Sequence, residues 1–395
     1  MPAIERQPDL LGVYIHFPFC IQKCHYCDFY SLSIREVNCS IDEIEKLFVK
    51  RIIEELKFRL SYFEHYKQVN TIYFGGGTSS FLSPNSIEMI LNEISKYYSF
   101  VSSCEITVEG NPEHFHQKEY LQSLKKISIT RINVGIQTKN QSFLKEMNRY
   151  FDYKHYEVVL ERVANQFDNW GIDLIYGYPN QNFEEFIEDL NWVLSYPVKH
   201  LSLYALTLEK GTPYENLVRQ KKLLPPNELL QEEIFLKLPE LLKSRKFYPY
   251  EISNYSLKGY ECRHNLRYWL YEPYLGLGPS AHGFNGTYRY NNFRNWDRWL
   301  TSFSEQYIKH EPEKEIAITI FRLLIPISMK WIAQITNKFD LFYQFFQQLE
   351  LQRKGYFLKN GEELYFQWNY QETIMLNDIL IEFFDLIEKE ATTKS

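Results

Sequence analysis

Three cysteines fall within eight residues, in the run Cys20-Ile-Gln-Lys-Cys24-His-Tyr-Cys27. A C-x3-C-x2-C spacing lets three thiolates wrap one face of a cubane, each on a different iron, so the pattern fits a 4Fe–4S cluster. The fourth iron is then left without a protein ligand, open to a small molecule. The competing reading is a zinc knot with His16 or His25 as fourth ligand. Zinc sites commonly pair their ligands across two separate turns, and no second pair is visible. Of the other cysteines, Cys39 and Cys104 read as small buried residues.

Further along, Gly75-Gly76-Gly77-Thr78 would let backbone approach a ligand closely, since no Cβ intervenes. Taken alone, such a run is as often a plain turn. Glu109 closes an apolar stretch, where a carboxylate can accept hydrogen bonds from hydroxyl groups or simply mark a solvated strand end. Arg263-His264-Asn265-Leu266-Arg267-Tyr268-Trp269 sets an imidazole beside two aromatic rings. A neutral imidazole is a good axial ligand for haem iron, and Tyr and Trp can pack on a porphyrin plane. A hydrogen-bonded cleft wall is the plainer reading. Cys262 and His282 are lesser candidates for the same role.

These residues need elements to hold them. Short β-rich runs, Gly12–Phe17, Asn70–Phe74, Glu105–Glu109, Arg131–Ile136, Gly171–Tyr176 and His200–Leu206, alternate with stretches whose apolar residues recur at three and four. Such repeats imply parallel strands joined by right-handed crossovers. Six units are too few for a closed eight-stranded barrel, so an open partial (β/α)6 barrel is expected, with function at the C-terminal ends of the strands. The cysteines follow the first strand, the glycines the second, and Glu109 and Gln137 end the third and fourth. Asp173 lies within the fifth. Alternation stops near Pro213. The expected division is 1–213 for the barrel, 214–311 for a mixed region, and 312–395 for a small, mainly helical domain with a hairpin near Lys359-Asn360-Gly361.

Composition removes several classes. The net charge of −6 gives no basic footprint for nucleic acid. The first residues lack a secretory pattern, and Ile316–Ile335 is too interrupted to span a bilayer. Bunched cysteines suit a reducing compartment, so a cytoplasmic address is expected. The aromatic share is 17%, with 31 Tyr and 29 Phe, which a flat apolar ligand would favour as walls.

Tyr14-Ile-His-Phe-Pro-Phe-Cys20 followed by Cys24-His-Tyr-Cys27-Asp-Phe29 closely resembles the branch of the radical S-adenosylmethionine (SAM) superfamily that contains oxygen-independent coproporphyrinogen III oxidase (HemN) and the haem chaperones (HemW). The likeness runs through about Tyr14–Asn295 and returns weakly in the tail. It implies that SAM occupies the open iron through its amino and carboxylate groups, and that an electron from the cluster can cleave the sulfonium to methionine and a 5′-deoxyadenosyl radical. It assigns Gly76, Gly77 and Thr78 to the methionyl amine and Glu109 to the ribose. It adds Tyr14, Tyr26, Gln137, Arg149, Asp173 and Ala205 as further SAM contacts. Ser79 stands where proline is usual, and Arg149 sits in a divergent Met147-Asn-Arg-Tyr-Phe neighbourhood.

Two features divide the branch. The oxidases carry a fourth cysteine where this chain has Phe29, and the chaperones share the H-N-x-x-Y-W pattern seen at His264–Trp269. The resemblance therefore implies a chaperone that binds haem, with His264 at the haem site, and passes it to acceptors such as respiratory enzymes. Dimer formation and peripheral membrane contact are compatible with that role, and SAM cleavage is left open. Coproporphyrinogen oxidation, or radical chemistry on an unrelated substrate, is the competing expectation.

Overall fold

The computed structural model describes residues 4–37, 39–149, 153–303 and 311–393. Strands β1 (Leu11–Phe17), β2 (Gln68–Gly76), β3 (Ser99–Gly110), β4 (Arg131–Gln137), β5 (Trp170–Tyr176) and β6 (His200–Ala205) lie side by side in chain order, all parallel. Helices α1 (Ile41–Arg59), α2 (Pro84–Ser95), α3 (Lys118–Lys126), α4 (Tyr153–Gln166) and α5 (Phe183–Val193) occupy the five crossovers. Every residue of β5 is buried, as expected of a parallel strand covered on both faces. Local signals set the helix starts. Ser40 with Glu43, and Asn182 with Glu185, form reciprocal capping boxes at α1 and α5.

The alternation does stop after β6, yet the chain goes on adding to the same sheet. Following α6 (Glu228–Lys243), β7 (Tyr248–Glu251) and β8 (Asn254–Ser256) extend the β6 edge with antiparallel strands. Helix α7 (Arg263–Trp269) then crosses to the opposite edge. There β9 (Tyr274–Leu277) pairs parallel with β1, and β10 (His282–Phe284) and β11 (Arg289–Asn291) follow antiparallel. The order is β11-β10-β9-β1-β2-β3-β4-β5-β6-β8-β7, and the two outer strands are not paired with each other, so the sheet is open. Strands of three or four residues are too short to leave a periodicity in the sequence, which is why this extension was not anticipated.

Two buried polar networks fix the added edge. Arg267, almost fully buried, donates to the carbonyls of Leu10 and Pro273 at 2.9 Å each, bonds Asn70, and pairs with Glu272 at 3.3 Å. Gly12 makes room for it, because a Cβ there would lie 2.3 Å from Arg267 Cδ. Glu55 on α1 accepts from Gly278 N at 2.8 Å, Trp299 Nε1 at 2.9 Å and Asn292 Nδ2 at 2.5 Å, with Arg59 at 3.7 Å. Such saturation is what makes a buried carboxylate tolerable.

In the tail, α8 (Pro312–Ile320), α9 (Phe339–Leu351) and α10 (Leu376–Thr393) pack on a three-stranded sheet that contains the expected hairpin, its turn at Gly361 with φ +63°. The tail core around Phe321, Phe345 and Phe383 is continuous with Leu266 and Leu270 at α7. Among the described residues, no helix is long and apolar enough to cross a membrane.

Candidate cluster and cofactor cavity

A cavity of about 770 Å³ opens at the C-terminal ends of the parallel strands. The residues expected to hold the cluster and SAM line it, together with His264: Cys20, Cys24 and Cys27; Tyr14 and Tyr26; Gly76, Gly77 and Thr78; Glu109, Gln137, Arg149, Asp173 and Ala205. They come from loops, strands and α7, up to 250 positions apart between Tyr14 and His264, and the chain topology alone brings them together.

The cysteine loop is held from several sides. Phe19–Cys20 pairs with Leu32–Ser33, pinning both ends. Asn148 binds the middle: its side chain donates to Lys23 O at 2.9 Å and its carbonyl accepts from Gln22 at 2.7 Å. Its neighbours Tyr150 and Phe151 lie outside the described residues. The glycine segment forms the opposite wall, with Gly77 N donating to Phe17 O at 2.7 Å and Thr78 N to Phe19 O at 2.9 Å. A Cβ on Gly77 would sit 2.8 Å from Phe19 O and 3.0 Å from Cys20 Sγ. Gly76 has φ +110°, a backbone state open to glycine. The departure at Ser79 has a local use: its hydroxyl bonds the carbonyls of Phe74 and Glu109, both at 2.7 Å, tying two strand ends together.

Burial pushes the Cys20 thiol up to about 12 and raises that of Cys27, so a metal must displace their protons. The zinc alternative fares poorly. Both ring nitrogens of His16 are engaged, by Tyr14 Oη at 3.1 Å and Tyr30 O at 2.9 Å, and His25 Nδ1 faces Glu146 O at 2.9 Å. Among the described residues, no three His, Cys, Asp or Glu side chains converge on a single-ion site. A cubane spreads its thiolates over three irons and needs no such point.

The strand-end wall is polar and incompletely satisfied. Tyr73 donates to Glu109 at 2.7 Å, and burial, helped by nearby Asp173, pushes the Glu109 carboxyl up to about 7. Asp173 accepts from Asn133 at 2.7 Å, and burial raises its carboxyl too. Its second oxygen is buried and makes no hydrogen bond among the described residues, and the same holds for Tyr26 Oη, Asn133 Oδ1, His200 Nδ1 and two nitrogens of Arg131, all on residues lining the cavity. Orphaned donors and acceptors of this kind are costly unless a polar ligand completes them. The thiols, the glycine cradle and this wall fit a cluster with a polar, amino-acid-bearing nucleoside beside it.

Arg149 is as much a brace as a contact. It donates to Gly135 O at 2.5 Å and Asn111 Oδ1 at 2.8 Å, with Cys24 Sγ at 3.7 Å. Gln137 sits at φ +73°, unusual for a residue with a Cβ and typical of functional loops. His264 is buried, its Nδ1 on Thr71 Oγ1 at 2.9 Å and its Nε2 on Tyr268 Oη at 2.8 Å. Burial holds it neutral, well below the usual imidazole range. The expectation that Cys39 is buried is corrected, for it is exposed; Cys104 is buried as expected. Cys262 is fully buried, its thiol facing Glu105, and lines neither cavity, which removes it as a ligand candidate.

Tyr73, Arg131 and Asn133 line this site and were missed. A signal existed: polar residues inside parallel strands that are otherwise apolar need a reason to be there.

A second cavity, about 460 Å³, adjoins the first across Tyr14, Asp28, Phe29 and Tyr268, which line both.

Comparison with known proteins agrees with this geometry. The model of the radical SAM superfamily matches residues 14–193. The chain is 34% identical to the haem chaperone HemW of Buchnera aphidicola subsp. Schizaphis graminum over 342 residues, 83% of this chain and 86% of that protein. It is 32% identical to HemW of Escherichia coli over 278 residues, 69% and 70% of the two. Among solved structures, coproporphyrinogen III oxidase HemN from Escherichia coli, a radical SAM enzyme, superposes with a TM-score of 0.76 at 19% identity, covering 96% of this chain and 91% of that one. The chain belongs to the HemW family of the radical SAM superfamily.

Proposed function

We propose that this protein is a cytoplasmic haem chaperone of the radical SAM type, which binds haem as cargo and hands it to haem-requiring acceptors such as respiratory enzymes. The observation that carries the reading is the extent of the match to HemW chaperones, 34% identity across 83% of this chain. Phe29 in place of a fourth cysteine supports it.

In this reading Cys20, Cys24 and Cys27 hold a 4Fe–4S cluster, and the glycine segment, Glu109, Gln137, Arg149 and Asp173 hold SAM. The cluster and SAM, when bound, supply one-electron reductive cleavage of a sulfonium. The chain's own work is to orient and exclude. The backbone at Gly76 and Gly77 allows close approach, and Glu109 accepts from hydroxyls once its proton is lost. The Tyr26 and Arg131 donors complete the polar shell. Haem lies toward the His264–Trp269 segment, with His264 at the haem site. The division at residues 213 and 311 is kept as functional: cofactor barrel, haem-facing region and supporting tail. Contact with membrane-bound acceptors and self-association belong to the same proposal.

The test uses anaerobically reconstituted full-length protein. Titration with haem should give a saturable Soret band. Incubation with coproporphyrinogen III, SAM and reductant should yield no decarboxylated porphyrinogen. Vigorous conversion without haem binding would replace the chaperone reading with the oxidase.

A further inference from the structure

The second cavity has the character of a porphyrin groove. Its walls carry Phe29, Tyr268, Trp269 and Tyr274, and its polar residues include His282, Arg289 and Arg294. Phe29 is 66% exposed on the shared rim. Trp269 Nε1 is buried and makes no hydrogen bond among the described residues.

Two imidazoles line this groove, and they differ. His16 has both nitrogens engaged. His282, at the start of β10, is partly open to solvent, and its ring makes no hydrogen bond among the described residues. His264, on the neighbouring cavity, would have to break a bond to Thr71 or Tyr268 before it could bind iron.

We infer that haem docks in this groove with His282 as its axial ligand, its ring against the aromatic walls and its carboxylates on Arg289 and Arg294. The inference rests on the chaperone reading for the identity of the cargo. The step is simple coordination: the imidazole lone pair enters the iron's coordination sphere, displacing a water from ferric haem, and no electron is transferred. Partial burial, with Arg289 and Arg294 nearby, lowers the His282 pKa, which keeps that lone pair available near neutral pH. Each arginine is anchored by one carboxylate, Arg289 by Glu315 and Arg294 by Asp28 at 3.2 Å. A guanidinium has five N–H donors, so each retains donors for a propionate. His264 acts as a positioning residue. Its Nε2 holds Tyr268, which stands edge-on to Tyr274 with centroids 4.6 Å apart.

The test titrates haem into the full-length chain and reads the Fe–imidazole stretch of the reduced complex by resonance Raman, with iron and sulfide content as a check on folding. His282→Ala should lose the stretch and weaken haem binding by about tenfold or more, and added imidazole should restore the stretch. His264→Ala should keep it. Arg294→Ala should weaken binding of haem but not of haem dimethyl ester, which lacks the carboxylates. An unchanged Fe–imidazole signature in His282→Ala overturns this site and leaves the chaperone reading standing. Wild-type protein with no saturable haem binding overturns both.

Discussion

The cluster cavity and the groove beyond Phe29 share a rim but are assembled differently. The cavity sits at the ends of six parallel strands, where each crossover delivers one loop to the same place, and its wall is lined with buried polar atoms that lack partners. The groove joins late, short additions to the sheet, α7 with β9–β11, to Tyr14, His16 and the 28–30 segment of the cysteine loop, and its walls are largely aromatic. The first suits a polar cofactor that stays, because leaving exposes unsatisfied groups. The second suits a flat, largely apolar cargo that must also depart. The difference implies separable sites, and that separability can be attacked.

The largest expected effect is on the cluster. Cys24→Ala should reduce iron from about four per chain to near none, since a cubane held by two thiolates is not retained. Haem binding should persist in that variant, as the groove does not include Cys24. Loss of haem along with the cluster would break the comparison.

Next comes the brace between the regions. Glu55→Ala removes the acceptor shared by Gly278, Asn292 and Trp299 and leaves Arg59 buried with less compensation. Urea unfolding should show a loss of about 3–5 kcal/mol. A loss well under 1 kcal/mol would mean that α1 does not anchor the β9–β11 edge.

A smaller effect should appear as a pH dependence confined to the cavity. With the Glu109 carboxyl near 7, the proton is lost between pH 6 and 8, and the carboxylate formed is the better acceptor for hydroxyls. SAM affinity should rise by about tenfold over that interval, the ionised fraction growing by that factor. Glu109→Gln should flatten the profile. Stability runs the other way. The folded state holds this proton more tightly than the unfolded state does, so the contribution is greatest below the ordinary value of 4.5 and is lost as pH rises toward 7. Haem affinity should not follow the Glu109 profile, and a parallel pH dependence would argue that the two sites are one.

How far these regions could be read in the sequence follows from how each is built. The cysteine spacing, the glycine run and the polar strand ends are local signals, and a parallel α/β topology converts local position at a strand end into convergence in space. That made Cys20 through Asp173 legible together. Tyr73 and Asn133 were not, because a polar residue within a strand can face either way until the register is known. The groove was hardly legible. His282 and Arg294 meet Phe29 only because β9 joins β1 after a long excursion, and strands of three or four residues carry no usable period. Arg267 shows a structural role hidden inside a motif. It stands within the motif that drew attention as a haem site, yet it is a structural anchor bonded to Asn70 and the backbone.

The central claim is that this chain carries haem rather than transforming a porphyrinogen. The direct measurement loads the full-length protein with one equivalent of haem, adds a haem-depleted acceptor enzyme, and follows recovery of the acceptor's activity alongside loss of the donor's Soret band. The account predicts that haem leaves the chain and appears in the acceptor at matching rates. It also predicts that the Cys24→Ala protein, loaded equally, can be compared directly to show whether the cluster serves release. Haem that stays on the wild-type chain while the acceptor remains inactive, together with rapid decarboxylation of coproporphyrinogen III by the same preparation, would contradict it.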